Sequence, residues 1–449
     1  MVFYFIAAFA FFCYRMIVSQ NKFVTALLAV SYFTGLEVFI RMARSTIFWE
    51  QGKYAVIFFS LWGMVYVGFK KNAVPYVLYL LFLLPAVGLT LSNIDFDENF
   101  RKTVLFNLSG PFCLSVASVF CFGRTIKRDE LLKILDYIVY PLIATTIYVI
   151  LYTPTGRELF ISTQSNSATS GGYSGNQVST MLGLGFFILV TRFFIPYRNV
   201  LVHWTMMFFM ALMGYRALLT FSRGGVITAV LMAGIFITFY YLNSTAITKR
   251  KTMIKLFVIG LGVVFLWGYT EVTTGGMIVN RYTNKNAKGV EKKDITTGRG
   301  KLIEAEFSQF IGNPWLGGGV GSSSDNFEEE LGVKAASHNE VSRMFSEHGL
   351  FGLLALLTLI FAPMITKLQG RKNIYFLAFL SFWFLTLMHS AMRIAAPAFI
   401  YALCLLNIDY SPVKKPAKRK KTLAKSQAVI GQYSTLAYSE ENIRDINSN

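Results

Sequence analysis

What most constrains this chain is a repeated length. From Val2 onward, apolar residues run for close to 20 positions before charged or turn-forming residues interrupt them. A helix rises about 1.5 Å per residue, so about 20 such residues cross a hydrocarbon layer about 30 Å thick. In lipid each backbone N–H and C=O needs an internal partner, and a helix supplies one within each segment. The expected fold is therefore all-α, a polytopic transmembrane helical bundle. Thirteen spans are read, roughly 2–19, 23–43, 54–69, 73–92, 104–123, 131–152, 176–195, 199–219, 225–243, 253–270, 345–366, 373–390 and 395–409. The third and last are short, so the expected count is twelve or thirteen. The first run has no basic leading segment and no small-residue cleavage site, and is read as a membrane helix.

Charge is scarce and unevenly placed. Only 15% of residues are charged, against about 25% in soluble chains, yet the net charge is +19. Nucleic acid is the wrong partner to infer from that excess. One set of alternate short loops holds fifteen Lys and Arg, including Arg15, Lys70, Lys71, Arg128 and Arg250; the opposite set holds seven, including Lys53, Arg157 and Arg223. The positive-inside rule puts the first set in the cytoplasm, with the N-terminus outside and the C-terminus inside. Anionic membrane lipids are then the partner of the basic face. The tail carries "KKPAKRKK" from Lys414 to Lys421 and is expected to be disordered. The chain divides into helices 1–10 over 1–270, a large outer loop over 271–344, helices 11–13 over 345–410, and the basic tail over 411–449. In the large loop nine basic and ten acidic residues nearly cancel. No internal repeat is visible, which weakens a transporter reading because many transporters are built from repeated halves.

Cys13, Cys113, Cys121 and Cys404 all fall in apolar runs, and the four histidines are scattered. Neither a disulfide framework nor a metal site is suggested. Glu37 and Arg41 stand four apart in one span and read as a structural pair across one helical turn. The groups at the outer ends of the spans are different. "TFSRGG" places Arg223 at the start of a span, followed by two glycines that permit close packing. "TTGRGKLIEAEFSQFIGNPWLGGGVG" opens on Arg299, continues as a short amphipathic helix, and ends that helix at Asn313-Pro314. "SHNEVSR" brings His338, Asn339 and Arg343. Singly, each has an ordinary structural reading: an arginine snorkelling to headgroups, a solvated loop charge, an exposed histidine. "GGGVG" follows a helix stop and not a strand, so it is no dinucleotide loop. Together, two arginine forks suit a diphosphate and a histidine suits a hydroxyl proton.

These stretches, with "HNEVSRMFSEHGLFG" and "GGYSGNQVSTML", resemble the O-antigen ligase and polymerase superfamily. His338-Asn339, nine intervening residues, Gly349, two more and Gly352 reproduce the spacing of the family's ligase pattern. The resemblance covers roughly residues 170 to 360. It implies a GT-C-like glycosyltransferase of the bacterial inner membrane, with a periplasm-facing site, no metal and no cofactor. The implied donor is a glycan on undecaprenyl diphosphate, and the acceptor lipid A–core or another glycan. By the same resemblance Arg223 and Arg299 would hold the diphosphate and His338 would activate the acceptor hydroxyl. Arg216 and Arg393 are further diphosphate candidates, resting more on topology than on motif. Asn176, Gln177, Asn339 and Arg343 are expected to line the cavity. A ligase is favoured over a repeat-unit polymerase by the histidine spacing. A protein O-oligosaccharyltransferase and a lipid-linked glycan transporter are lesser alternatives.

Overall fold

The computed structural model describes residues 1–93, 98–153, 162–165, 167–292, 294, 296, 298–332, 335, 337–370, 372–389 and 392–411, without the side chains of 93 and 98–102. The basic tail beyond 411, with its expected disorder, lies outside the described residues, as do Arg157 and Arg371.

Each of the thirteen apolar runs folds as a helix. In chain order these are α1 (Val2–Val18), α2 (Lys22–Met42), α3 (Gln51–Val67), α4 (Val74–Asn93), α5 (Glu98–Cys121), α6 (Arg128–Tyr152), α7 (Gly175–Phe194), α8 (Val200–Leu219), α9 (Arg223–Leu242) and α10 (Ala246–Thr273). The large loop contributes α11 (Met277–Tyr282), α12 (Arg299–Gly312) and α13 (Ser322–Leu331). Then come α14 (Glu340–Leu368), α15 (Phe376–Leu387) and α16 (Ala395–Cys404). Side-chain caps mark several starts: Asn21 Oδ1 accepts from the Val24 amide at 3.1 Å, and Asn199 Oδ1 accepts from Leu201 at 2.8 Å.

Among the described residues, nine helices are long and apolar enough to cross a membrane: α2, α4 to α10 and α14. The chain is thus a multi-pass helical membrane protein. The remaining runs are shorter. α1 and α3 have 17 residues each, α15 has 12 and α16 has 10. At 1.5 Å per residue α15 and α16 rise only about 18 and 15 Å, so each covers about half a bilayer. All ten residues of α16 are buried, held against α5, α15, α2 and α3. α7 packs against α8 and α9 and α2 against α3 and α6, so both are enclosed. α10, by contrast, buries only Thr252 and Thr270 and turns the rest of its apolar surface outward.

A polar knot sits inside this bundle. Arg41 Nη2 lies 2.5 Å from Glu37 Oε1 and 3.5 Å from Glu50 Oε2, and Lys53 Nζ is 2.5 Å from Glu50. Lys53 also donates to Ser109 Oγ at 2.8 Å, while Glu37 Oε2 accepts from the Ala395 amide at 2.6 Å. The Glu37–Arg41 pair is therefore present, as its spacing suggests, and extends from α2 to α3, α5 and the start of α16. Lys53 differs from expectation. It was counted with an outer connection, yet it lies within α3, fully buried, because Glu50 gives it a partner. On the side where α6 begins, strand β1 (Thr125–Lys127) pairs in parallel with β2 (Asn407–Asp409), fastening the chain just beyond α16.

Candidate active site

A cavity of about 660 Å³ opens where several helices begin. Gly175 and Asn176 open α7, Arg223 and Gly224 open α9, Arg299 opens α12, and His338 stands two residues before α14. Helix N-termini carry partial positive charge and unsatisfied N–H groups, which favours an anion in front of them. Starting a helix with arginine runs against that dipole unless an anion neutralises both. Asp294 shapes the turn ahead of Arg299, accepting from the amides of Thr296 at 2.7 Å and Gly298 at 2.5 Å. The paired glycines after Arg223 answer to neighbours: a Cβ on Gly224 would meet the His389 ring at 2.5 Å, and one on Gly225 would meet Ser179 Oγ of α7 at 2.3 Å.

Arg223, Arg299, His338 and Asn176 are thus brought together in one cavity. Asn176 Oδ1 accepts from Ser222 Oγ at 2.9 Å, tying the start of α7 to the turn before α9. The other sequence candidates are placed elsewhere. Arg343 is buried between Glu340 at 2.5 Å and Glu347 at 3.0 Å, and also donates to Asn107 Oδ1 at 2.9 Å. Asn339 caps α14 through the Val341 amide at 2.9 Å. Gln177 Oε1 accepts from Tyr173 OH at 2.9 Å. Arg216 is buried and donates to the Ile150 carbonyl at 3.4 Å. Arg393 donates to the carbonyl of Ser337, the residue before His338, and so supports the histidine loop.

Two cavity residues escaped sequence reasoning. Arg281 is on α11, and its Nε donates to the Phe221 carbonyl at 2.8 Å. His389 lies between α15 and α16; its Nδ1 donates to the Leu385 carbonyl at 2.7 Å, which leaves Nε2 as the acceptor facing Thr180 Oγ1 at 3.1 Å. Among the described lining residues there are three arginines and no Asp or Glu. The electrostatics follow from that imbalance. Burial, with Arg393 and Arg299 nearby, pushes the His338 imidazole down to about 4. His389 is also pushed down to about 4, chiefly by burial, with Arg299 adding to the effect against the Leu385 hydrogen bond. Burial and the charges of Arg223 and Arg299 push Arg281 down to about 10. Both histidines are therefore neutral near pH 7, and one of them stands beside a concentrated positive field.

The motif around His338 is built into a bracket. Gly349 interrupts α14 with φ 57° and ψ −136°, a backbone state that an L side chain resists. The carbonyls it releases are taken up by the glycine loop: Ser346 O accepts from Gly318 at 2.9 Å and Glu347 O from Gly319 at 3.1 Å. In return the Leu350 amide donates to the Pro314 carbonyl at 2.8 Å. "NPWLGGGVG" thus braces the broken helix, and Gly352 lets the next turn close against Met344 O, 2.0 Å from where a Cβ would stand.

Fold and site together define a multi-pass helical membrane protein with a cation-lined cavity suited to an anionic substrate. Residues 208–357, a third of the chain, match the family profile described as O-antigen ligase. The segment contains Arg223, Arg281, Arg299 and His338, together with Gly349 and Gly352. That match supports a membrane glycosyltransferase of ligase or polymerase type. No curated protein matches the chain.

Proposed function

We propose that this protein transfers a glycan from undecaprenyl diphosphate to a hydroxyl of lipid A–core, as an O-antigen ligase of the bacterial inner membrane with its cavity facing the periplasm. The observation that carries this reading is the convergence of Arg223, Arg299 and His338 on one cavity, with no carboxylate among its described lining residues, at the starts of α9, α12 and α14. The arginines hold the donor's diphosphate and stabilise the charge that grows on it as the glycosyl bond breaks. His338, neutral near pH 7, accepts a hydrogen bond from the acceptor hydroxyl; the diphosphate's negative charge raises its basicity and lets it take the proton. Asn176 fixes the turn that presents Arg223, and Arg393 supports the loop that presents His338. The chemistry is that of a C-type glycosyltransferase working without a metal, so transfer should persist in EDTA; full loss restored by a divalent cation would contradict it.

The test is transfer in vitro. Purified protein is given undecaprenyl-diphosphate glycan and lipid A–core, with His338→Ala alongside. Glycan on core with the intact enzyme alone is the expected result. Longer lipid-linked chains with unmodified core would make the protein a polymerase. No product with either acceptor would reject both activities for these substrates.

A further inference from the structure

We propose that Arg281 is a third arginine on the diphosphate, and that it acts on the charge released during transfer more than on the donor as it binds. This rests on the diphosphate reading above and goes beyond it by assigning a separate role within the cavity.

Charge balance is the first reason. A glycosylated lipid diphosphate is a diester carrying two negative charges, which two arginines match. In transfer, the acceptor oxygen forms a bond to the anomeric carbon. The bond from that carbon to the bridging phosphate oxygen breaks, and its electron pair stays on the oxygen. The hydroxyl proton passes to His338. The leaving lipid diphosphate is a monoester with a third negative charge. Among its described lining residues the cavity holds three arginines and no carboxylate. Only an interaction that strengthens toward the transition state raises the rate of the chemical step. A third arginine is superfluous for the two-charge donor and matched to the three-charge leaving group.

Placement is the second reason. Arg281 is held by the backbone: its Nε donates to Phe221 O at 2.8 Å, within the turn that ends two residues later in Arg223. Phe221 is buried and takes φ 55°, a left-handed state uncommon for an aromatic residue. That strained turn aims a carbonyl at Arg281 and couples α11 to the start of α9. The guanidinium has no other hydrogen bond among the described residues, so its Nη groups keep their donors. An arginine needed only to brace the turn would have no reason to line a cavity beside two further arginines, where like charges oppose one another.

The experiment compares two short-chain prenyl diphosphates on purified full-length protein at about pH 8. One is the glycosylated diester, a donor mimic; the other is the free monoester, a product mimic. Calorimetric Kd values are read for wild type, Arg281→Gln and Arg281→Lys. Wild type should bind the monoester more tightly. Arg281→Gln should lose about tenfold or more for the monoester and under about threefold for the diester, with kcat falling by a similar factor and donor KM nearly unchanged. Arg281→Lys, which keeps the charge without the fork, should fall between the two and serves if the glutamine variant does not fold. Equal losses for both ligands would make Arg281 an ordinary ground-state ligand or a brace, and unchanged binding would remove it from the site; either overturns the proposal. Failure of wild type to bind either compound would instead overturn the diphosphate reading itself.

Discussion

At the scale of single residues, the cavity's chemistry is set by arginines that no carboxylate offsets among its described lining residues. If Arg223 and Arg299 stabilise the leaving diphosphate, replacing either with alanine should cost about 2–4 kcal/mol of transition-state stabilisation, roughly a 30- to 1,000-fold loss in kcat/KM. Near-wild-type transfer by both purified variants would dismiss the clamp. The histidines predict a stability effect with a definite sign. His338 and His389 sit at about 4 when folded, against about 6.5 for a free imidazole. Between those values the unfolded chain binds more protons, so stability rises with pH and is lost as pH falls from about 6.5 toward 4. Glu306 acts in the opposite direction. Burial pushes its carboxyl up to about 7, so its contribution is present at low pH and lost as pH rises through about 7. Comparing melting temperatures of wild type and His338→Gln/His389→Gln from pH 7 to 4.5 isolates the histidine part. The wild type should lose more on acidification; parallel curves would reject the assignment. Arg223 and His338 were legible because each stands close to an apolar run in a recognisable string, and Arg299 because it opens an amphipathic stretch in another. Arg281 was not, since a lone arginine in a six-residue helix looks like any loop charge. His389 could have been noticed, because it stands at the end of an apolar run, four residues before Arg393.

At the scale of elements, the sequence announced its membrane helices through length and apolarity. It could not announce the break in α14, because a glycine within an apolar stretch is compatible with an unbroken membrane helix. Only the backbone partners from the Pro314–Gly319 loop make the break favourable. Gly349→Ala should therefore destabilise the protein by about 3 kcal/mol or more, since the added Cβ would meet Gly317 N and Pro314 O at 2.7 Å in a backbone state closed to alanine. Gly260→Ala on α10, where an added Cβ would meet nothing beyond the helix's own backbone, is the control. It should be neutral or stabilising by about 0.5–1 kcal/mol, because alanine is the better helix former. Thermal unfolding in detergent reads both; a stable Gly349→Ala variant would show that the bracket contributes little. The buried Glu37–Arg41–Glu50–Lys53 knot was half legible for a related reason. Neighbours four apart on one helix can be seen in a string, whereas the pairing of α2 with α3 is a tertiary fact.

At the scale of the whole molecule, the helices from Val2 to Cys404 form one unit that ends with β2, and the unit closes by fastening β2 to β1. Ile126 and Ile408 are paired in that register and both are buried; the Lys372 carbonyl accepts from the Ile408 amide at 2.7 Å. The few residues after α16 are thus structural, since they fasten the end of a half-length helix whose start is held by packing and by the Ala395–Glu37 hydrogen bond. Half-length helices are also where hydropathy misleads, because a run of apolar residues gives no sign of whether it crosses lipid or is enclosed by protein. Two truncations separate these roles. Ending the chain after Ser411 keeps β2 and should leave glycan transfer and melting temperature close to wild type. Ending it after Leu405 removes β2 and the Ile408 contact, and should lower the melting temperature by several degrees, as expected for about 1–2 kcal/mol lost. Activity should fall with it, because α16 is joined through Ile394 to the segment that carries His389 and Arg393. Loss of transfer by a folded Ser411 truncation would instead mean that the basic tail takes part in the reaction.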